Sequence, residues 1–223
     1  MRIALVYPAF GVIATENQPN LKAVADNYGI YPNISLAYIA GSLQAAGHEL
    51  IFLDAMAEGL SFNDMAMRLR DFKPDIMMFT LTTYLFHETI DLIRNFRKKC
   101  NAKVVVGGAQ VSLYPRETMM QGVIDYGLIG EAEQSVIELC KAIEEHLELS
   151  HIAGLAFMAG KKIVVTDPRP KEKNLDKIPF PARNLLPVGR YYSFVSKYRN
   201  YTIMITSRGC PYSCTFCEQR TGD

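Results

Sequence analysis

Over its first 150 residues the chain alternates short apolar runs with stretches of helical periodicity, and this alternation limits the folds open to it more than any other feature. Residues 3–6, 49–53, 76–81, 103–106 and 123–129 read as strands, with 3–6 a short apolar run and 76–81 apolar nearly throughout. Between them lie helical stripes: Leu36, Ile39, Leu43 and Ala46; Phe62, Met65, Leu69 and Phe72; Leu85, Leu92 and Phe96; Val136, Cys140, Ile143 and Leu147. Ser61 can cap the second of these, and Gly47 and Pro74 stop the first two. Arg97, Lys98 and Lys99 suit the carboxyl end of the third. Strands each followed by a helix require right-handed crossovers and a parallel sheet. The expectation is an α/β fold: a doubly wound, five-stranded parallel sheet over residues 1–150.

Such sheets bind ligands beyond the carboxyl ends of their strands. That rule points to residues 7–11, 54, 80–83, 107–110 and 130–131; the residues selected there are Tyr7 and Pro8, Asp54, Thr80, Thr82 and Thr83, Gly107, Gly108 and Gln110, and Gly130 and Glu131. Gly107 and Gly108 allow backbone to approach a ligand closely, or are simply turn residues. The threonine hydroxyls offer polar contacts, and Gly130 precedes a helix whose amino end can hold polar groups. The connection over residues 9–33 has no periodicity and is long for a compact domain; at the ligand end of the first strand it reads as a lid or equally as a floppy loop. Asp54 has no G-x-G-x-x-G before it and no P-loop is present, which argues against a nucleotide site.

After residue 150 the pattern changes. Residues 154–158 and 163–166 flank Ala159-Gly160-Lys161-Lys162, a hairpin signature. Residues 167–190 hold five prolines and read as an extended linker, so residues 151–200 form a hairpin-and-linker region. Residues 201–206 read as one more strand, leading into Arg208-Gly209-Cys210. With 24 Lys and Arg against 23 Asp and Glu the net charge is +1, without the basic surplus of a nucleic-acid binder. No apolar run approaches the roughly 20 residues of a membrane helix, and no signal peptide is visible, so a cytoplasmic protein is expected.

Three of the five cysteines form Cys210-x-x-x-Cys214-x-x-Cys217. Thiolates this close on a loop can converge on one soft metal centre, and spacing alone leaves zinc and iron–sulfur chemistry both open. The segment Ser207-Arg208-Gly209-Cys210-Pro211-Tyr212-Ser213-Cys214-Thr215-Phe216-Cys217 closely resembles the opening of radical S-adenosylmethionine enzymes. That resemblance implies that Cys210, Cys214 and Cys217 hold a [4Fe-4S] cluster whose fourth iron is chelated by S-adenosylmethionine. One electron then cleaves the sulfonium and releases a 5′-deoxyadenosyl radical. Phe216 matches the aromatic usual before the last cysteine.

An α/β domain ahead of such a loop resembles the cobalamin-dependent branch of that superfamily. Val104-Val105-Val106-Gly107-Gly108, Ile129-Gly130-Glu131-Ala132-Glu133 and Pro179-Phe180-Pro181-Ala182-Arg183 each match segments typical of it. The implied fold is Rossmann-like, of the cobalamin-binding type. Residues 201–223 would begin a truncated radical S-adenosylmethionine barrel, and residues 1–223 alone should be catalytically silent, since such a barrel needs roughly 200 residues. The implied cofactors are cobalamin, S-adenosylmethionine and a [4Fe-4S] cluster. The implied partners are a small-molecule substrate and an electron donor such as flavodoxin or ferredoxin, with neither nucleic acid nor membrane. The sequence departs from the branch twice. No D-x-H-x-x-G follows the first strand, where Tyr7-Pro8-Ala9-Phe10-Gly11 stands, and Gln110 occupies a position often held by histidine. The expected activity is methyl transfer to an unactivated centre. An oxidative cyclase acting on a magnesium porphyrin ester is the second reading, and a non-catalytic sensor module with a zinc loop the third. Replacing Gly108 with Val is expected to block the cofactor groove and spare the fold.

Overall fold

The computed structural model describes residues 1–9, 29–193, 195–196, 198, 200–212 and 214–216. The expected lid over residues 9–33 lies mostly outside them. In chain order the strands are β1 (Arg2–Tyr7), β2 (Gly29–Ile30), β3 (Glu49–Asp54), β4 (Ile76–Thr80), β5 (Lys103–Gly107), β6 (Tyr126–Leu128), β7 (Leu155–Ala159), β8 (Lys162–Val165) and β9 (Tyr192–Ser193). The helices are α1 (Ile34–Ala45), α2 (Ala55–Glu58), α3 (Phe62–Phe72), α4 (Phe86–Arg97), α5 (Ala109–Leu113), α6 (Pro115–Met119) and α7 (Glu133–Glu145).

The main sheet runs β3-β1-β4-β5-β6-β7-β8. Its first five strands are parallel, and the order reverses direction after β1, which is the doubly wound pattern. The last two strands correct the expectation of a five-stranded sheet. The hairpin read as a separate region adds β7 antiparallel to β6, with Gly127 opposite Ala156, and β8 antiparallel to β7. The strand expected over residues 123–129 shrinks to three residues. Val123 and Ile124 are apolar because they pack into the core, not because they pair. Residues 201–206, expected to form a strand, carry no ladder pairing among the described residues. A parallel strand takes its bonds from neighbours, and no neighbouring strand is described there.

Side-chain alternation in the strands divides the core between the two faces. Met77, Phe79, Val104 and Val106 meet Met65 and Leu69 of α3 and Ile90, Ile93 and Phe96 of α4. Met78, Val105 and Leu128 meet Leu43 of α1 and Val136, Leu139 and Cys140 of α7. Burial pushes the Cys140 thiol up to about 12, so it stays protonated at neutral pH and serves as a core hydrophobe. Ser61 caps its helix as expected, while the Asn33 cap was not foreseen. Ser61 and Asp64 form a reciprocal capping box on α3, and Asn33 caps α1 by accepting from Leu36 N at 3.0 Å. Arg97, at the end of α4, donates to the Val123 carbonyl at 2.7 Å and pairs with Asp125.

The proline-rich linker docks instead of running free. It crosses α1 at Gly41, where an added Cβ would stand 2.1 Å from the Phe180 carbonyl oxygen. Ala182 N donates to the Ala37 carbonyl at 2.9 Å. Farther on, β9 pairs with β2, and the buried Tyr191 donates its hydroxyl to Asp54 Oδ2 at 2.7 Å. Burial holds the Asp54 carboxyl above the usual carboxylate range, while the Tyr191 bond favours its ionised form. Tyr191→Phe therefore leaves a buried carboxylate short of a donor and should cost about 1–3 kcal/mol. The bond serves the ionised carboxylate, so the deficit is full at neutral pH and shrinks as pH falls through the raised pKa. Urea unfolding of the variant and the parent across that range measures both effects.

Candidate cofactor-binding cleft

A cleft of about 560 Å³ opens at the carboxyl ends of β4, β5 and β6, between α1 and the turn that enters α7. That volume lies within the usual range of small-molecule sites. Its floor is apolar: Met78, Val105 and Leu128 from the strands, Leu36 and Ile39 from α1. Its rim is polar, with Ser35, Thr80, Thr82, Glu131, Glu133 and Arg208.

The loops that end these strands are fastened to one another. Leu81 N donates to the Gly107 carbonyl at 2.7 Å, and Gln110 N donates to the Leu81 carbonyl at 3.2 Å. The Ser112 hydroxyl accepts from Gly130 N at 3.0 Å and donates to the Gly108 carbonyl at 3.1 Å. These bonds tie the turns after β4, β5 and β6 to one another along one side of the cleft. Thr80 and Gly107 share the sheet face of Met78 and Val105, so both look into the cleft.

The structure brings together Thr80, Thr82, Gly107, Gly108, Gly130 and Glu131 of the residues selected by sequence. It does not bring in the others. Thr83 is exposed outside the cleft. Tyr7 and Pro8 end β1, a strand whose carboxyl end is roofed by Tyr191 and the docked linker, and Tyr7 packs against that roof. Gln110, in the first turn of α5, is buried, with its Oε1 lacking a partner among the described residues. Asp54 is committed to Tyr191 and to capping α2 through Ala57 N at 2.9 Å. Cys210 and Cys214 are exposed, unbridged thiols, and Cys217 lies outside the described residues. Sequence reading missed Tyr38, Ser112, Glu133 and Arg208. Only Glu133 carried a local signal, as an acid in the first turn of a helix.

Gly108 needs a correction. Its φ is +103°, and an added Cβ would stand 2.7 Å from the Leu81 carbonyl oxygen and 2.9 Å from Thr80 Oγ1. A side chain there strains the backbone and pushes on the β4 loop, so it does not simply fill a groove. Gly107 differs: its Cβ would meet only Leu128, at 3.8 Å. Gly108→Val should cost about 2–4 kcal/mol and Gly107→Ala under about 1 kcal/mol in thermal unfolding.

Comparison with known proteins agrees with this geometry. The B12 binding domain family model matches residues 21–140. An uncharacterized methyltransferase of Pyrococcus horikoshii is 35% identical over 222 residues, covering 98% of this chain and 45% of that protein. The anaerobic magnesium-protoporphyrin IX monomethyl ester cyclase of Cereibacter sphaeroides is 30% identical over 227 residues, covering 98% and 35%. The chain thus spans less than half the length of these curated relatives. Among solved structures, the cobalamin-dependent S-adenosylmethionine radical enzyme OxsB, with aqua-cobalamin and S-adenosylmethionine bound, superposes with a TM-score of 0.73 at 22% identity, over 97% of this chain and 28% of that one. The radical S-adenosylmethionine methyltransferase TsrM of Kitasatospora setae gives 0.59 at 20% identity, over 74% and 30%. The fold is that of the cobalamin-binding part of such enzymes, and with more than half its length matched, the chain belongs to the B12 binding domain family.

Proposed function

We propose that this chain is the amino-terminal part of a cobalamin-dependent radical S-adenosylmethionine enzyme that transfers a methyl group to an unactivated centre. One observation carries the reading: Ile205, Arg208 and Gly209, the residues just before Cys210, form part of the wall of the cleft. The cysteine loop and the cleft of a B12 binding domain therefore adjoin, as chemistry shared between two cofactors requires.

The cleft suits the nucleotide tail of cobalamin. An apolar floor accepts a flat aromatic base, and Thr80, Thr82 and Ser35 offer hydroxyls for phosphate and amide groups. Gly107 leaves open the space that a side chain would take. Bound cobalamin supplies a transferable methyl group, and S-adenosylmethionine on a cluster supplies the radical that activates the acceptor. Cys210, Cys214 and Cys217 offer the thiolates for that cluster. The chain's own part is to bind the tail, to keep water from the apolar floor, and to present the cysteine loop beside the mouth. No histidine stands in the connection between β1 and α1 to serve as a lower cobalt ligand. The similarity to the magnesium-protoporphyrin cyclase supports ring oxidation as a second reading. Product analysis on the full-length enzyme separates the two.

Two measurements test the proposal. Hydroxocobalamin titrated into the protein and followed by absorbance should show saturable binding without a histidine-ligated spectrum. Gly107→Leu should weaken that binding at least about tenfold, or ~1.4 kcal/mol, while thermal unfolding stays cooperative. Equal binding by variant and parent refutes the cleft assignment. Anaerobic reconstitution of the full-length enzyme with iron and sulfide should give the Mössbauer signature of a [4Fe-4S] cluster, lost in Cys214→Ala. Stoichiometric zinc without iron refutes the radical reading.

A further inference from the structure

Arg208 stands two residues before Cys210, and its side chain is 16% exposed. Its Nη2 donates to Glu133 Oε1 at 2.6 Å, and its Nη1 lies 3.5 Å from Glu131 Oε2. Its guanidinium carbon sits 5.0 Å from the centre of the Tyr38 ring. These three partners come from α1, from the turn entering α7 and from the first residue of α7, and all of them line the cleft. A solvated ion pair would be worth little. This cation is mostly buried, forked between two carboxylates and stacked on an aromatic face, the arrangement in which arginine cannot be exchanged for lysine without loss.

The segment that Arg208 holds has few other attachments. Residues 201–210 carry no ladder pairing among the described residues. Upstream, Arg183 of the docked linker donates to Thr202 Oγ1 at 3.1 Å and to the Ile203 carbonyl at 2.9 Å. Arg208 is thus the fastening next to the cysteines, and it is made to groups that border the cleft. A ligand that fills the cleft packs against Tyr38 and Glu131 and steadies the partners of Arg208. A cysteine loop drawn together by a cluster steadies Arg208 from the other side.

We propose that Arg208 is a positioning residue that couples the two cofactor sites, so that filling the cleft and filling the cysteine loop favour each other. The proposal rests on the reading of the cleft as a cobalamin site. Coupling between sites is reciprocal, so one direction suffices to measure it. The test uses the anaerobic full-length enzyme with and without its reconstituted cluster, titrated with hydroxocobalamin and followed by absorbance. The quantity read is the ratio of the two dissociation constants within each protein, so a direct loss of affinity cancels. The wild type should bind about five- to tenfold more tightly with the cluster present. Arg208→Ala should bring the ratio to about one, Glu133→Gln should lower it, and Arg208→Lys should leave it intermediate. In the wild type cobalamin should also slow amide hydrogen exchange over residues 203–212, and in Arg208→Ala it should not. A ratio of one in the wild type, or a wild-type ratio in Arg208→Ala and Glu133→Gln, overturns the coupling and leaves the cobalamin reading standing. Absence of hydroxocobalamin binding by the wild type overturns that reading, and the coupling with it.

Discussion

In a parallel sheet the strand hydrogen bonds run out on one common edge, and the backbone groups just past that edge must find other partners. The rest of this molecule depends on how that edge is finished. Past β4, β5 and β6 the turns are bonded to one another through Leu81, Gly107, Gln110 and Ser112. They need nothing from α1, and a cleft remains between them and that helix. Past β1 and β3 the solution is different. There Asp54 caps α2 and accepts from Tyr191, and the returning chain seals the edge. One edge therefore has an open half and a closed half, and the open half holds the candidate cleft.

The closed half explains why the linker is ordered structure. A helix normally has no spare donors or acceptors for a passing chain, because its backbone bonds are internal. Here Ala37 accepts a second bond, from Ala182, and Gly41 removes the side chain that would keep Phe180 away. The prolines of the linker lower the entropy lost on docking, since their φ is fixed in advance.

Much of this was legible in the sequence because it is local. Periodicity located the four long helices but not the three short ones, Ser61 starts one of the four, and the strand-end rule found six residues of the cleft. The misses share one cause. Tyr7, Pro8 and Asp54 satisfy the rule as well as Thr80 does, and only the return of Tyr191, 137 residues from Asp54, closes their half of the edge. Arg208 and Glu133 are 75 residues apart with no common period, and Ser112 looks like any polar residue on a short helix. Residues 201–206 look like a strand because a chain that lies against apolar side chains carries the same residue types as one that pairs. Tyr201, packed edge-on to Tyr31, is the instance on view. The hairpin was found, but a hairpin signature says nothing about which edge it extends.

The two fastenings of the segment ahead of the cysteines have a consequence in terms of effective concentration. A free tether of some 25 residues, the distance from Arg183 to Arg208, has a root-mean-square span of about 25–30 Å and would spread the cysteine loop through a large volume. With Arg183 gripping residues 202 and 203, the tether shortens to about five residues, with a span of about 12 Å. Local concentration falls roughly as the three-halves power of tether length, so this grip raises the loop's presence at the mouth about tenfold. Under the proposed function, the linker then sets how often the cysteine loop meets the cleft without contributing an atom to either.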